Sequence, residues 1–140
     1  MDVFSKRKRS LVMATIRGSG NRDTELRLIA IFRMHRIIGW RRGSRLPGRP
    51  DFVFPRRKLA VFVDGCFWHG CPEHGRRPLS NRGYWEAKIS RNRARDRNVN
   101  RQLRECGWRV LRIWEHALAK KFEARLRARL AQAGLLSPRT

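Results

Sequence analysis

Apolar and polar positions along the chain change their period several times, and each change marks a new element. From Asp23, a residue type suited to capping a helix start, the run TELRLIAIFRMHR places Leu26, Ile29, Ala30 and Arg33 on one side. Leu28, Ile31, Phe32 and His35 lie near another. This spacing predicts a helix with a broad apolar surface, ending before Gly39. The segment RLPGRPDFVFPRRKLAVFVDG then switches to two short apolar runs around a turn at residues 55–58. Residues 52–54 and 59–63 are rich in β-branched and aromatic side chains and are expected to pair as an antiparallel hairpin.

Residues 66–83 are dense in Gly, Pro, Cys and His and predict an irregular loop. After it, YWEAKISRNRARDRNVNRQLRECGW carries Trp85, Ile89, Asn92, Asp96, Val99, Leu103 and Cys106 on one face, a long helix stopped by Gly107. Cys106, on that apolar face, is expected to pack in the core. The run WRVLRIW at 108–114 predicts a third strand, and its apolar character suggests a central position covered on both sides. A last helix is expected over 117–132, with Leu118, Phe122, Leu126 and Leu130 at intervals of four and Gly134 as its stop. The order α, β, β, loop, α, β, α indicates an α/β fold with a central mixed sheet flanked by helices, and no internal repeat is visible.

Composition adds a partner class. The 140 residues suffice for one domain over 21–140, preceded by a basic arm at 1–20 that carries Lys6, Arg7, Lys8, Arg9 and Arg17. Lysine and arginine number 34 against 11 acidic residues, a net charge of +23 that repels itself on folding unless a polyanion neutralises it. A nucleic acid is therefore expected as partner, and charge alone leaves an RNA-coating protein open. No window reaches the roughly 18 apolar residues of a membrane span, nor does the N-terminus look like a secretory signal, so a cytoplasmic location is expected. Three cysteines in such a chain point to metal binding or buried thiols before disulfides.

Candidate chemistry gathers at the hairpin. Centring the turn between Arg56 and Arg57 puts Asp51 opposite position 62, within about one residue of Val63 and Asp64. Oxygen ligands at one sheet end suit a hard cation such as Mg2+, although aspartates at strand ends also cap turns. His69 follows five residues after Asp64 and is suited to proton transfer, while Glu25 opens a helix able to pack on the sheet. Cys66-x4-Cys71-x2-His74 supplies three ligands, and His116 beyond the third strand would complete a closed tetrahedral zinc site. Buried thiols with incidental histidines are the alternative. Phe67 and Trp68 lie together in this loop, where aromatic rings beside a basic surface can stack on bases or wedge between them. Trp85 is a candidate to join them, and a satellite apolar cluster over the loop is the competing explanation.

Four segments, LPGRPDFVF, VFVDGCFWHGCPEHG, YWEAKISRNRARDR and GWRVLRIWEHAL, closely resemble the very short patch repair DNA endonucleases, over about residues 9–120. The resemblance implies a restriction endonuclease-like fold with a zinc-stabilised loop, and Mg2+-dependent nicking 5' of the thymine in T:G mismatches left by 5-methylcytosine deamination. It implies Asp51 and the Val63 carbonyl as Mg2+ contacts, His69 as catalytic histidine, Glu25 as the glutamate ordering water, and Cys66 and His116 as zinc ligands. Phe67, Trp68 and Trp85 match the intercalating aromatics, and Lys88 and Asn92 are further DNA-contacting candidates on the helix of Trp85. The family pattern has a histidine where this chain has Asp64, which would either ligate the metal or replace a proton carrier. Cys71 and His74 are assigned by ligand chemistry, since the spacing here differs from the family's.

The resemblance further implies double-stranded mismatched DNA as partner, mismatch-repair proteins as candidate associates, and a bacterial, nucleoid-associated monomer. Two rival readings remain open at this point. One is a noncatalytic, zinc-stabilised nucleic-acid-binding module, and the other is a nicking endonuclease of a restriction or mobile-element system with another target.

Overall fold

The computed structural model describes residues 22–66, 69–72 and 81–136. Helix α1 (Arg22–Met34) leads into strand β1 (Phe52–Phe54), a single 3-10 turn at Pro55–Arg57, and strand β2 (Leu59–Asp64). Helix α2 (Arg82–Glu105), strand β3 (Arg109–Trp114), two 3-10 turns at Glu115–Leu118 and Lys120–Phe122, and helix α3 (Glu123–Gln132) complete it. The result is a mixed three-stranded sheet with helices, in order β1-β2-β3, antiparallel between β1 and β2 and parallel between β2 and β3. The basic arm, Phe67, Trp68 and His74 lie outside the described residues.

The hairpin register pairs Phe52 with Val61 and Phe54 with Leu59, as a turn centred between Arg56 and Arg57 requires. Pro55 opens the 3-10 turn, and Lys58 closes it in the left-handed region at φ 49°. On one sheet face Phe52, Phe54, Leu59, Val61 and Val63 pack with Leu111 and Ile113 against α1 and α3. Phe32 of α1 meets Phe52 and Phe54 edge-on at 5.3 and 5.6 Å, a favoured aromatic geometry. On the other face Val53, Ala60 and Phe62 pack with Val99 and Leu103 of α2. The alternation of the strands thus sends odd and even residues to two different cores, and β2, buried throughout, is the central strand.

Four expectations change. Strand β3 is an edge strand among the described residues, not the central one. Its apolar run hides an alternation: Leu111 and Ile113 are buried, while Arg109 is exposed and Val110, Arg112 and Trp114 are half-buried. The α3 helix starts at Glu123, because Ala119 adopts an extended conformation (φ −69°, ψ 145°) that no helix can run through. Cys106 caps α2 and is exposed, since the helix ends before its apolar stripe reaches that position. Helix α1 stops at Met34 and buries a narrower face than expected, Leu28, Ile29 and Phe32, leaving Leu26 and Ala30 exposed.

The loop before β1 is held against α2 by a close approach. Gly48 (φ 76°) lies where a Cβ would come within 2.5 Å of Val99 Cγ1, so only glycine meets both the backbone angle and the space.

Candidate active site and candidate metal centre

The ends of β1 and β2 carry the first cluster. The β1 ladder stops at Phe52, and two residues past Val61, the Val63 N–H donates to Asp51 Oδ2 at 2.7 Å instead of to a main-chain carbonyl. Asp51 is buried, at 6 % exposure. In a strand the N–H and C=O of one residue point the same way, so the Val63 carbonyl is aimed at the edge where Asp51 stands. A carboxylate and a main-chain oxygen on one edge form a hard-oxygen donor set of the kind a Mg2+ ion takes.

A second cluster lies on the α2 face. His69 follows β2 through a tight turn in which its N–H donates to Gly65 O at 3.1 Å. Its Nδ1 meets Asp96 Oδ2 at 2.5 Å and stands 3.8 Å from Asp64 Oδ1. Arg112 of β3 donates to Asp64 Oδ1 at 2.8 Å. Burial raises the Asp64 carboxyl above its ordinary range; His69 and Arg112 pull it down, Asp96 pushes it further up, and the net direction is upward. For His69 burial works against the charged ring, but the bond to Asp96 and the charges of Asp64 and Asp96 outweigh it, so its pKa is raised. An imidazole tied at Nδ1 to a carboxylate has a fixed ring orientation and leaves Nε2 for proton transfer.

Glu25 sits in the first turn of α1, where its carboxylate receives Arg42 Nη2 at 2.5 Å. Trp85, Lys88 and Asn92 are half-buried and precede Asp96 on α2 at spacings that keep all four on one stripe. The DNA-contacting candidates on this helix therefore run in line toward the His69–Asp96 pair. Tyr84, exposed, stacks edge-on with Trp85 at 5.0 Å. Arg91, Arg93, Arg95 and Arg97 line the solvent side of the same helix.

The third cluster is soft. Cys66, Cys71 and His116 converge, with His116 Nδ1 at 3.2 Å from Cys66 Sγ and 3.6 Å from Cys71 Sγ. Ligands at Zn–S and Zn–N bond lengths and tetrahedral angles stand roughly 3.5 Å apart, so these spacings fit a zinc ion. The loop is folded for it: Cys71 N–H donates to Cys66 O at 2.9 Å, and Cys66 N–H to Glu115 Oε1 at 2.9 Å. Burial pushes the Cys66 thiol up to about 12; a hydrogen bond from the His116 main chain opposes this, and Cys71 and Glu115 add to it.

Sequence reasoning placed Asp51, Val63, Asp64 and His69 at one end of the sheet and Cys66, Cys71, His74 and His116 in a second group, of which His74 lies outside the described residues. It missed Asp96 and Arg112 as site residues. Asp96 carried a signal, being a charged residue on the stripe of Ile89, Val99 and Leu103. Arg112 carried little, as one arginine among 34 basic residues.

Comparison with known proteins agrees with this chemistry. A family described as "DNA mismatch endonuclease Vsr" matches residues 1–74. The type II nicking enzyme V.NaeI of Lentzea aerocolonigenes is 46 % identical over 112 residues, covering 77 % of this chain and 68 % of its own. The type II nicking enzyme V.XorIIP of Xanthomonas oryzae pv. oryzae is 40 % identical over 135 residues, 90 % and 94 % of the two chains. The DNA mismatch endonuclease Vsr of Escherichia coli is 38 % identical over 123 residues, 84 % and 75 %. The carboxylate edge and the carboxylate-bound histidine thus lie in a chain that belongs to the Vsr family of DNA endonucleases.

Proposed function

We propose that this endonuclease nicks one strand of duplex DNA 5' of the thymine in a T:G mismatch, by Mg2+-dependent phosphodiester hydrolysis on a restriction endonuclease-like fold. The observation that carries this reading is the Asp51–Val63 contact, which sets a carboxylate and a main-chain oxygen on one edge of the sheet. Asp51 and the Val63 carbonyl would hold the ion. When bound, Mg2+ supplies charge neutralisation at the scissile phosphate and makes water a better nucleophile. His69, oriented by Asp96, exchanges a proton at Nε2 with the attacking water or the leaving oxygen. Glu25, held by Arg42, orders water on the α1 side.

Cys66, Cys71 and His116 would hold a structural zinc, with His74 as fourth ligand, and so brace the loop that carries Phe67 and Trp68. In this reading Phe67, Trp68 and Trp85 wedge between base pairs, with Lys88 and Asn92 contacting the duplex beside them. A mismatched pair is cheaper to unstack, which ties the wedges to lesion selectivity. The protein acts as a monomer on bacterial DNA in the cytoplasm.

A second reading is favoured by the names of two relatives, which are nicking enzymes. Under it the chain cuts a target set by a restriction system. Duplexes labelled on each strand, carrying T:G, the other mismatches, paired controls and methylated sites, separate the two in Mg2+ buffer. The proposal expects a single cut, on the thymine strand of T:G alone. Comparable cutting of a paired or differently mismatched site establishes the second reading, and no cut in any duplex removes both.

A further inference from the structure

Among the described residues, two groups of side chains come close enough to hold an ion, Cys66, Cys71 and His116 on one side and Asp64, His69 and Asp96 on the other. Their internal spacings differ in a way that separates them. The soft group has the roughly 3.5 Å edges of a tetrahedral site. In the acidic group, two oxygen or nitrogen ligands of a Mg2+-like ion would stand about 3 Å apart, at right angles and ordinary bond lengths. His69 Nδ1 is hydrogen-bonded directly to Asp96 Oδ2, so these two groups satisfy each other without an ion between them.

The positive charge beside these carboxylates comes from the protein. Arg112 Nη1 lies 2.8 Å from Asp64 Oδ1 and 3.6 Å from Asp96 Oδ1, so one guanidinium nitrogen faces both acids. The side chain is fixed from several directions. Its Nε donates to Asn100 Oδ1 at 2.7 Å, and the guanidinium lies over the Phe62 ring at 4.1 Å from the centroid. Parallel pairing of β2 with β3 places Arg112 beside Phe62, on the sheet face that α2 covers. Two strands and one helix therefore converge on a single side chain that is 18 % exposed. A planar fork so restrained loses little on forming its bonds and does not leave as a hydrated ion would.

We propose that the Arg112 guanidinium is the resident cation of the Asp64–His69–Asp96 group, positioning both carboxylates around His69 and closing that group to a divalent ion. Asp64 then acts through Arg112 and is not a metal ligand. The inference deepens the endonuclease reading, since it confines catalytic metal binding to the edge of Asp51 and Val63. Arg112 is a positioning residue, because what it touches are protein side chains. A fixed unit charge a few ångströms from the same oxygens opposes metal binding strongly enough that its removal should be plain in a titration.

The test counts Mn2+ by electron paramagnetic resonance in zinc-replete protein without DNA, so its outcome does not depend on cleavage. Arg112→Met and Arg112→Gln remove the charge while keeping an unbranched stem, and each is expected to bind one more Mn2+ than the parent. Affinity at that added site should exceed anything the parent shows there by roughly tenfold or more. Adding Asp96→Asn to either variant should abolish the extra ion. In the parent, Asp96→Asn alone should leave the Mn2+ count unchanged, which tests the closure of the group to a divalent ion even if both Arg112 variants misfold. The proposal is overturned if folded Arg112 variants bind no additional ion, or if Asp96→Asn removes one from the parent. Either result leaves T:G nicking to be judged by its own assay.

Discussion

Asp51 has two tasks that one substitution can separate. Its carboxylate accepts the Val63 N–H, a structural bond whose loss inside a buried edge costs about 1–3 kcal/mol, and its charge is what a metal requires. Asp51→Asn keeps an oxygen acceptor for Val63 and removes the charge. The variant is expected to melt within a few degrees of the parent and to bind duplex as before, since phosphate contacts come from the basic surface. Nicking should fall by at least about 1,000-fold, because several kcal/mol of transition-state charge stabilisation goes with the ion. A single-turnover assay at saturating protein checks this, and a rate near the parent's would remove Asp51 from the metal site. Asp51 was legible because hairpin register follows from the position of the turn, and the register in turn sets Asp51 beside Val63. Arg112 was not legible, because nothing local distinguishes a buried arginine from an exposed one. Its role follows from Asp64, Asp96 and Asn100, which lie 48, 16 and 12 residues away in the chain.

At the scale of elements, periods of two and of 3.6 found the hairpin, both long helices and the third strand. What they could not supply was order in the sheet. WRVLRIW has few polar residues, and its arginines at 109 and 112 resemble interruptions of a buried run, yet the strand lies at an edge with Arg112 turned to α2. In the segment that follows β2, Cys66 and Cys71 are buried beside His116. Binding zinc there must strip the proton from Cys66, whose thiol burial holds up to about 12. Below that value each unit of pH costs or gains one proton's worth of competition. Zinc affinity, measured by chelator competition, should therefore rise with pH by at least about tenfold per unit between roughly pH 6 and 8. Removal of the ion should lower the melting temperature, with the change concentrated in amide exchange around residues 65–72 and 115–118. Affinity independent of pH would show that Cys66 is not a ligand.

Over the whole molecule the excess of 23 positive charges has to be reconciled with a site built from carboxylates. The two are kept apart by the fold. Asp51 and Asp64 are buried at the sheet end and Asp96 shares His69 and Arg112 with Asp64 from α2, while the arginines at 91, 93, 95 and 97 are exposed along the same helix. Binding and chemistry should then respond to salt independently. Each phosphate neutralised by an outer arginine releases a counterion, so between about 50 and 200 mM salt duplex affinity should drop by roughly 10³-fold or more if six or more phosphates are contacted. The buried network is screened far less, because the Debye length matters little to groups within hydrogen-bonding distance and out of water. Under single-turnover conditions with protein in excess of the dissociation constant, the nicking rate should change by less than about threefold over the same range. Salt titrations of binding by anisotropy and of nicking at saturation provide the comparison. A cleavage rate that falls in parallel with affinity, even at saturation, would mean that exposed arginines reach the reacting phosphate and that the catalytic charge is not confined to the buried cluster.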